Sequence, residues 1–153
     1  MIKRIMFVCH GNICRSPMAQ FVFLDIVKKN GEESDFFVDS SATSYEEIGN
    51  PIYPPARRTL TEKGIPHFIT HAKILEKRDY EKYDFFIGMD SSNIRRILSI
   101  FGSDKDKKVH RLLDFTEEKK DVSDPYYTRN FDTVFDDIFL GCEALYNYLK
   151  ELK

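Results

Sequence analysis

Short apolar runs alternate with longer stretches of helical periodicity along the chain. Each short run is bounded by polar or turn-forming residues, which predicts buried β-strands. The predicted strands are Ile5–Cys9, Phe36–Val38, Tyr83–Met89 and Val109–Leu113. Between and after them, apolar residues recur at spacings of three and four, which predicts amphipathic helices.

Residues that favour helix ends support the predicted helices. Ser16 and Pro17 favour the start of the first helix, and Gly31 favours its end. The predicted helices run from Ser16 to about Gly31, from Pro55 to Lys63, from Asp90 or Ser91 to Gly102, and from Asn130 onwards.

Strands that alternate with helices are typical of a parallel sheet with helices on both faces. Four such units are most compatible with a doubly wound sheet of strand order 2-1-3-4. In such a sheet the ligand crevice lies beyond the carboxyl ends of the strands, beside strand one. We therefore expect one α/β domain over residues 1–153, with its site in the loop after the first strand.

Composition and charge exclude several classes of protein. The chain has 153 residues, of which 42% are hydrophobic, and this is enough for one core and too apolar for disorder. The net charge of −2 provides no general basic field for nucleic acid or an anionic membrane. No apolar run is long enough to cross a bilayer, and the first residues lead into a strand without a signal-peptide cleavage region. We expect a cytoplasmic monomer that binds neither nucleic acid nor membrane.

The loop after strand one contains a cysteine and an arginine six positions apart. Cys9 ends the strand, Arg15 stands at the start of the helix, and Gly11 lies between them. The backbone N–H groups of such a loop and the helix dipole favour an oxyanion such as phosphate, and the arginine adds a planar pair of donors. The residues predicted to bind phosphate are His10, Gly11, Asn12, Ile13, Cys14 and Arg15.

A thiol in this positive field loses its proton readily, so we expect Cys9 to be a nucleophilic thiolate. Ser16 is expected to donate a hydrogen bond to that thiolate, which also suits the thiolate as a leaving group. The alternative interpretation makes Cys9 an inert core residue, Arg15 a surface cation and Ser16 only a helix cap. That alternative requires the strand, the glycine and the polar residues of the loop to fall in register by chance.

The segment Val8–Ala19, VCHGNICRSPMA, resembles the phosphate-binding loop of the low-molecular-weight protein tyrosine phosphatases nearly residue for residue. The resemblance continues through residues 39–44, 89–93 and 124–127 and extends over the whole chain. It implies a flavodoxin-like sheet, which agrees with the predicted strand order. It also implies hydrolysis of phosphotyrosine in proteins and peptides through a cysteinyl-phosphate. No cofactor or metal ion is expected, because Arg15 and the loop amides would neutralise the phosphate.

Expulsion of a phenoxide needs a proton donor, and the stretch from Asp114 to Asp124 contains five acidic residues. Composition alone does not choose among them, and the other four are expected to be solvated. Asp124 differs because it stands in the only Asp-Pro pair of the chain, where the proline restrains its backbone. In similar phosphatases the aspartate of this pair is the general acid, so the resemblance assigns that role to Asp124.

Aromatic residues are predicted at the mouth of the phosphate site. Tyr126 and Tyr127 follow the Asp-Pro pair and would stack on a phenol ring, which favours phosphotyrosine over the shorter phosphoserine. The other wall is expected from residues 44–55, whose candidates are the aromatic Tyr45 and Tyr53 and the acidic Glu46 and Glu47. The sequence leaves open which tyrosine faces the substrate.

The resemblance also implies residues that support the loop. Asn12 and Ser40 resemble the pair that holds its strained backbone, and His71 resembles the histidine that supports Asn12. Asp90 resembles a buried acid that caps a helix. Each has a simpler interpretation as a cap, turn or surface residue. The side chain of His10 is assigned no chemical role.

The three cysteines are expected to differ in chemistry. Cys9 and Cys14 are five positions apart on one tight loop, so their sulfur atoms could approach within disulfide range. Cys14 would then capture an oxidised Cys9 before irreversible oxidation. Cys14 could equally pack as a small apolar residue under the loop, and the two roles are compatible. Cys142 lies on the apolar face of the last helix and is expected to be inert.

Other functions fit the sequence less well. The cysteines and histidines lack zinc-finger-like spacing. An arsenate reductase of this fold needs further cysteines to relay a disulfide, and none lies between Cys14 and Cys142. A phosphoarginine phosphatase typically has threonine where this chain has Ile13, and its acid loop lacks the paired tyrosines. A non-enzymatic flavin or phosphoryl carrier of this fold needs neither Arg15 nor Asp124.

Overall fold

A computed structural model describes residues 1–152 as a four-stranded parallel sheet with helices on both faces. The strand order β2-β1-β3-β4 confirms the predicted doubly wound arrangement. The strands are β1 (Lys3–Cys9), β2 (Phe36–Ala42), β3 (Phe85–Gly88) and β4 (Val109–Arg111). Because all the strands are parallel, the loops after their carboxyl ends meet at one edge of the sheet.

β1 lies in the middle of the sheet because it is apolar on both faces. Successive side chains of a strand point to opposite faces. Ile5 and Phe7 belong to the larger apolar cluster, whereas Met6 and Val8 belong to a second cluster on the other face. Pairing with β2 continues to the last residue of the strand, so Cys9 is held at the carboxyl edge of the sheet.

The helices form two layers around this sheet. They are α1 (Arg15–Lys29), α2 (Pro54–Glu62), α3 (Ser91–Phe101), α4 (Pro125–Thr128) and α5 (Phe131–Glu151). α1 packs against α2 and α5 on the face of the larger apolar cluster, and α3 covers the opposite face. α3 ends at Gly102 as predicted, because this residue adopts the left-handed φ of 81° that favours glycine.

Several boundaries differ from the predicted ones. β2 is longer, because its pairing with β1 continues through polar residues to Ala42. β4 is shorter, because the chain turns into a 3₁₀ helix, Leu112–Phe115, directly after Arg111. α1 begins at Arg15, one residue before the predicted start, so Ser16 lies in the first turn and does not cap the helix.

Three further short helices were not predicted from apolar periodicity. They are the 3₁₀ helices Glu33–Asp35 and Lys77–Glu81, and the four-residue helix α4. One or two turns are too short to display a repeating apolar face. Across residues 1–152, the helices are all too short or too polar to cross a membrane.

Candidate active site

The loop from Cys9 to the start of α1, called the phosphate loop here (residues 9–16), curls around the Cys9 sulfur. Cys9 is 3% exposed, and the backbone N–H of Asn12 donates to its Sγ at 3.3 Å. Asn12 has a φ of 61°, a left-handed conformation that asparagine tolerates better than most residues. The loop therefore aims the Asn12 N–H at the Cys9 sulfur, beside which an anion is predicted to bind.

The side chain of Asn12 sets the direction of the hydrogen bonds around Cys9. Its Oδ1 accepts from the backbone N–H of Lys73 at 3.2 Å, so its Nδ2 must face the opposite way. Nδ2 donates to Ser16 Oγ at 2.8 Å. Ser16 Oγ lies 3.0 Å from Cys9 Sγ, and its own proton is left to point at the sulfur. This arrangement fits the predicted role of Ser16 in stabilising a thiolate.

A second branch of this network joins Asn12 to Ser40. Asn12 Nδ2 also donates to Ser40 Oγ at 3.0 Å, and Ser40 donates to Gln20 Oε1 at 2.7 Å. The expectation that His71 supports Asn12 is wrong. His71 is exposed, and the Asn12 amide is already occupied by Lys73 and the two serines. No pattern along the chain indicated a role for Gln20, which lies one helical turn beyond Ser16.

Arg15 lies under the phosphate loop and is not a surface cation. It is 2% exposed, and its Nη1 donates to Asp90 Oδ2 at 2.7 Å and to the Val122 carbonyl at 2.8 Å. Burial acts to lower the pKa of Arg15, but negative charge at Cys9 and the hydrogen bond to Asp90 outweigh it, and the pKa is raised. The side chain is therefore a permanent cation, and its Nε and Nη2 donate no hydrogen bond among the described residues.

Asp90 performs two tasks at the carboxyl edge of β3. As predicted, it caps α3, because its Oδ1 accepts from the backbone N–H of Asn93 at 2.7 Å. Its other oxygen forms the ion pair with Arg15. That ion pair joins residues 75 positions apart and was not predicted.

Asp124 ends the acid loop, defined here as residues 116–124, and caps α4. Its Oδ1 accepts from the backbone N–H of Tyr126 at 3.0 Å, and its Oδ2 lies 3.6 Å from Arg15 Nη2. The side chain is 29% exposed and lines the same pocket as Cys9. The nucleophile and the acid proposed from sequence therefore face one cavity.

The four neighbouring acids are all exposed, as expected, but two of them are also paired with an arginine. Asp114 and Asp121 both accept hydrogen bonds from the guanidinium of Arg111. Glu117 and Glu118 are exposed, as expected. The sequence does not reveal the difference, because the partner of the two aspartates belongs to β4.

The pocket over the phosphate loop is narrow, with a volume of about 90 Å³. Tyr126 and Tyr127 line it on one side, as predicted. Tyr45 is 77% exposed and lies outside the lining, so its predicted place in the wall is wrong. Tyr53 also lies outside, because it packs against Tyr126 with ring centroids 5.7 Å apart.

The pocket also has an acidic part of its lining. Glu46 and Glu47 line it, and Glu46 Oε2 lies 3.1 Å from His10 Nε2. This contact with His10 lowers the pKa of Glu46. Glu47 passes so close to the phosphate loop that a Cβ on Gly11 would lie 3.2 Å from its Cγ. Glycine at position 11 therefore allows the two segments to approach.

The cysteines occupy different environments. Cys14 lines the pocket with Cys9 but is 5% exposed, and burial together with the charges of Cys9 and Asp124 raises the pKa of its thiol. Cys14 is therefore a protonated thiol at neutral pH, and its disulfide with Cys9 stays a prediction. Cys142 is fully buried in α5 and its Sγ faces the Ala19 carbonyl at 3.6 Å, consistent with a packing role.

In the part of the chain that the structure describes, no three His, Cys, Asp or Glu side chains converge in a group that could hold a metal ion. The pocket contains one buried arginine at its floor and no such cluster.

Residues 4–153 match the family model described as low molecular weight phosphotyrosine protein phosphatase. The low molecular weight protein-tyrosine-phosphatase YfkJ of Bacillus subtilis is 39% identical over 143 residues, which cover 92% of each chain. The low molecular weight protein-tyrosine-phosphatase PtpA of Staphylococcus aureus is 35% identical over 146 residues, which cover 95% of this chain and 92% of PtpA.

Solved structures show the same similarity. The crystal structure of YfkJ from Bacillus subtilis has a TM-score of 0.96 at 37% identity and covers 100% of this chain and 98% of its own. The low molecular weight protein tyrosine phosphatase SP-PTP from Streptococcus pyogenes has a TM-score of 0.84 at 34% identity, covering 99% and 94%. The sequence-based resemblance and the flavodoxin-like fold are confirmed.

Proposed function

The chain belongs to the low-molecular-weight phosphotyrosine protein phosphatase family, and from this premise we propose that it hydrolyses phosphotyrosine in two steps through Cys9. It is a protein-tyrosine phosphatase. The observation that carries the residue roles is that Cys9, Arg15 and Asp124 line one pocket whose rim bears two tyrosines. Phosphoproteins and phosphopeptides are its substrates.

In the first step the Cys9 thiolate attacks phosphorus and forms the S–P bond as the bond to the phenolic oxygen breaks. Asp124 gives its proton to that oxygen, so tyrosine leaves as a neutral phenol. Arg15 and the loop amides bind the phosphate oxygens, where negative charge increases in the transition state. The pair formed by Arg15 and Asp90 keeps the guanidinium in place while the ester bond breaks.

In the second step the ionised Asp124 accepts a proton from water as the water oxygen attacks the phosphorus of the cysteinyl-phosphate. The S–P bond breaks, inorganic phosphate forms, and Cys9 leaves as a thiolate. Ser16 stabilises this leaving group by donating its hydroxyl proton to the sulfur. The hydroxyl has this direction because its oxygen accepts a hydrogen bond from Asn12 Nδ2. The same side chains therefore serve both steps.

The rim of the pocket favours an aryl ester. Tyr126 and Tyr127 flank the entrance, and their rings lie in an edge-to-face arrangement with centroids 5.5 Å apart. A phenol ring would bury its faces between this pair and the loop side chain of Ile13, whereas phosphoserine is too short to reach both. The Ile13 side chain cannot form a hydrogen bond with the guanidinium of a phosphoarginine substrate. This favours phosphotyrosine over phosphoarginine as the substrate residue.

We further propose that the protein acts as one domain and as a monomer in the cytoplasm. Both layers of helices pack on a single sheet, and the proposed site is formed by side chains of one chain. A reducing compartment suits chemistry that depends on a free thiolate at Cys9. The cysteines of this chain are unpaired within the part that the structure describes.

The substrate proposal is tested with matched peptides that carry phosphotyrosine, phosphoserine or phosphoarginine, with excess chelator present. We expect the highest kcat/KM on phosphotyrosine and the same rate with and without chelator. A higher kcat/KM on phosphoarginine would overturn the substrate assignment. Full loss of activity in chelator would overturn the mechanism, because it would show that a metal ion neutralises the phosphate.

A further inference from the structure

One arginine holds the loop that carries Asp124. Arg111 is the last residue of β4, and its guanidinium reaches into the acid loop. Nη1 donates to Asp121 Oδ1 at 2.8 Å, and Nη2 donates to the Lys119 carbonyl at 3.0 Å. Nε and Nη2 also hold Asp114 Oδ1, at 3.1 and 2.8 Å. A single side chain therefore binds Asp114 and Asp121, at the two ends of the segment that precedes Asp124.

Asp121 connects this arginine to the start of α3. Its Oδ1 also accepts from the backbone N–H and the hydroxyl of Ser91, at 2.9 and 3.1 Å. The next residue back, Asp90, forms the ion pair with Arg15. Arg111 is thus linked through the first turn of α3 to the guanidinium that binds phosphate.

The acid loop depends on such contacts because part of its backbone is strained. Lys119 has a φ of 45°, which residues with a side chain seldom adopt, so neighbouring groups must hold it. Val122 is fixed next, since its N–H donates to the Met89 carbonyl at 2.9 Å. Only Ser123 separates this anchor from Asp124.

Asp114 and Asp121 are 46% and 49% exposed, and an exposed ion pair by itself stabilises little. The Arg111 side chain is 20% exposed, and it serves four acceptors with a rigid planar fork. Its hydrogen bond to Asp114 and that to Asp121 raise the pKa of Arg111 against the opposing effect of burial. Burial raises the pKa of Asp121, but the hydrogen bonds from Arg111 and Ser91 outweigh it and lower that pKa.

We propose that Arg111 is a positioning residue for catalysis, which holds the acid loop so that the Asp124 carboxyl reaches the leaving-group oxygen over Cys9. The inference rests on the proposed function, in which Asp124 is the general acid. Arg111 acts through Asp121 and the backbone of residue 119, and it touches neither phosphate nor phenol. Its loss should therefore impair proton donation and leave phosphate binding and thiolate attack in place.

The test is Arg111→Met, assayed on phenyl phosphate and on p-nitrophenyl phosphate. Phenyl phosphate has the more basic leaving group and depends more on an acid. We expect kcat on phenyl phosphate to fall about tenfold, a fraction of the 10²–10⁴-fold that a general acid supplies, with a clearly smaller loss on the nitrophenyl ester. Arg95→Met removes the same charge from an exposed position on α3 and should leave both rates unchanged.

A double-mutant cycle with Asp124→Ala separates positioning from stability. If Arg111 acts through Asp124, adding Arg111→Met to Asp124→Ala should cost no further activity on either ester. Equal losses on both esters, or a full additional loss in the Asp124→Ala background, would overturn the positioning role. If Asp124→Ala alone fails to discriminate between the esters, the acid assignment of the proposed function fails and the positioning role falls with it.

Asp121→Asn provides a second variant in case Arg111→Met does not fold, which thermal unfolding will show. The amide retains the oxygen that accepts from Ser91 but loses the charge that Arg111 binds. The same selective loss on phenyl phosphate supports the proposal. Wild-type rates on both esters would contradict it.

Discussion

The phosphate loop and the acid loop face one pocket, but they are held in place in different ways. In the phosphate loop the decisive contacts around Cys9 come from Asn12 and Ser16, three and seven positions along the chain. In the acid loop they come from distant elements. The Val122 carbonyl accepts a hydrogen bond from Arg15, which lies 107 positions away in the sequence. The Asp121 carboxylate accepts a hydrogen bond from the backbone N–H of Ser91, which lies 30 positions away.

This difference separates the two halves of the proposed chemistry. The backbone of the phosphate loop forms with the strand, turn and helix, although Asn12 and Arg15 also bind the distant Lys73 and Asp90. The acid reaches this loop only when β4, α3 and α1 have packed. Changes in the phosphate loop should therefore affect every substrate, whereas changes in the acid loop should affect esters according to their leaving group.

The largest effect is expected in the phosphate loop, from Cys9→Ser. A serine hydroxyl stays protonated in this loop, so no turnover should be detected, whereas the anion site persists and should still bind a phosphotyrosine peptide. Steady-state hydrolysis and calorimetric binding measure the two properties on one protein. Activity within about tenfold of the wild-type enzyme would remove Cys9 from the nucleophile role.

The next largest effect is expected in the acid loop, from Asp124→Ala. The rate on phenyl phosphate should fall by about 10²–10⁴-fold, and the rate on p-nitrophenyl phosphate should fall less. Single-turnover rates across a series of aryl esters should depend more steeply on leaving-group pKa than in the wild-type enzyme.

Exposed Glu117 and Glu118 provide matched controls, since their change to alanine should cost little. Asp121→Ala should have an intermediate effect, because Asp121 is bound to Arg111 and Ser91. A larger loss at Asp121 than at Asp124 would mean that the acid has been assigned to the wrong carboxylate.

A smaller effect should distinguish contacts within the phosphate loop from those outside it. Asn12→Ala removes the donor that directs Ser16 to the sulfur, and roughly a tenfold loss on all esters is expected from one hydrogen bond to a charged group. His71→Ala should stay within about twofold of the wild-type rate, as exposed substitutions usually do. A loss at His71 as large as that at Asn12 would restore the histidine to the network.

The last effect appears only after oxidation. Mild peroxide should convert the Cys9 thiolate to a sulfenic acid, which the Cys14 thiol attacks to give a disulfide and water. Mass spectrometry should show the two peptides joined, and a thiol reductant should restore activity. Cys14→Ser, compared with its own starting activity, should lose this recovery, and full recovery in that variant would contradict the resolving role.

The sequence by itself determined the features that depend on neighbouring residues. The apolar run of β1 and the glycine, arginine and serine that follow it predicted the phosphate loop, and the alternation of strands and helices predicted the sheet order. The proline after Asp124 singled out one carboxylate among five. Local periodicity and local turn chemistry are sufficient for such features.

Only the tertiary structure decided which distant groups meet at the carboxyl edge of the sheet. Of the four candidates for the second wall, Glu46 and Glu47 line the pocket and Tyr45 and Tyr53 do not, and a backbone N–H of Lys73, not His71, binds Asn12 Oδ1. The partners of Arg15 and Arg111 likewise come from other strands and helices. Spacing along the chain does not encode these contacts, because the packing of helices on the sheet sets the distance between loops that are remote in sequence.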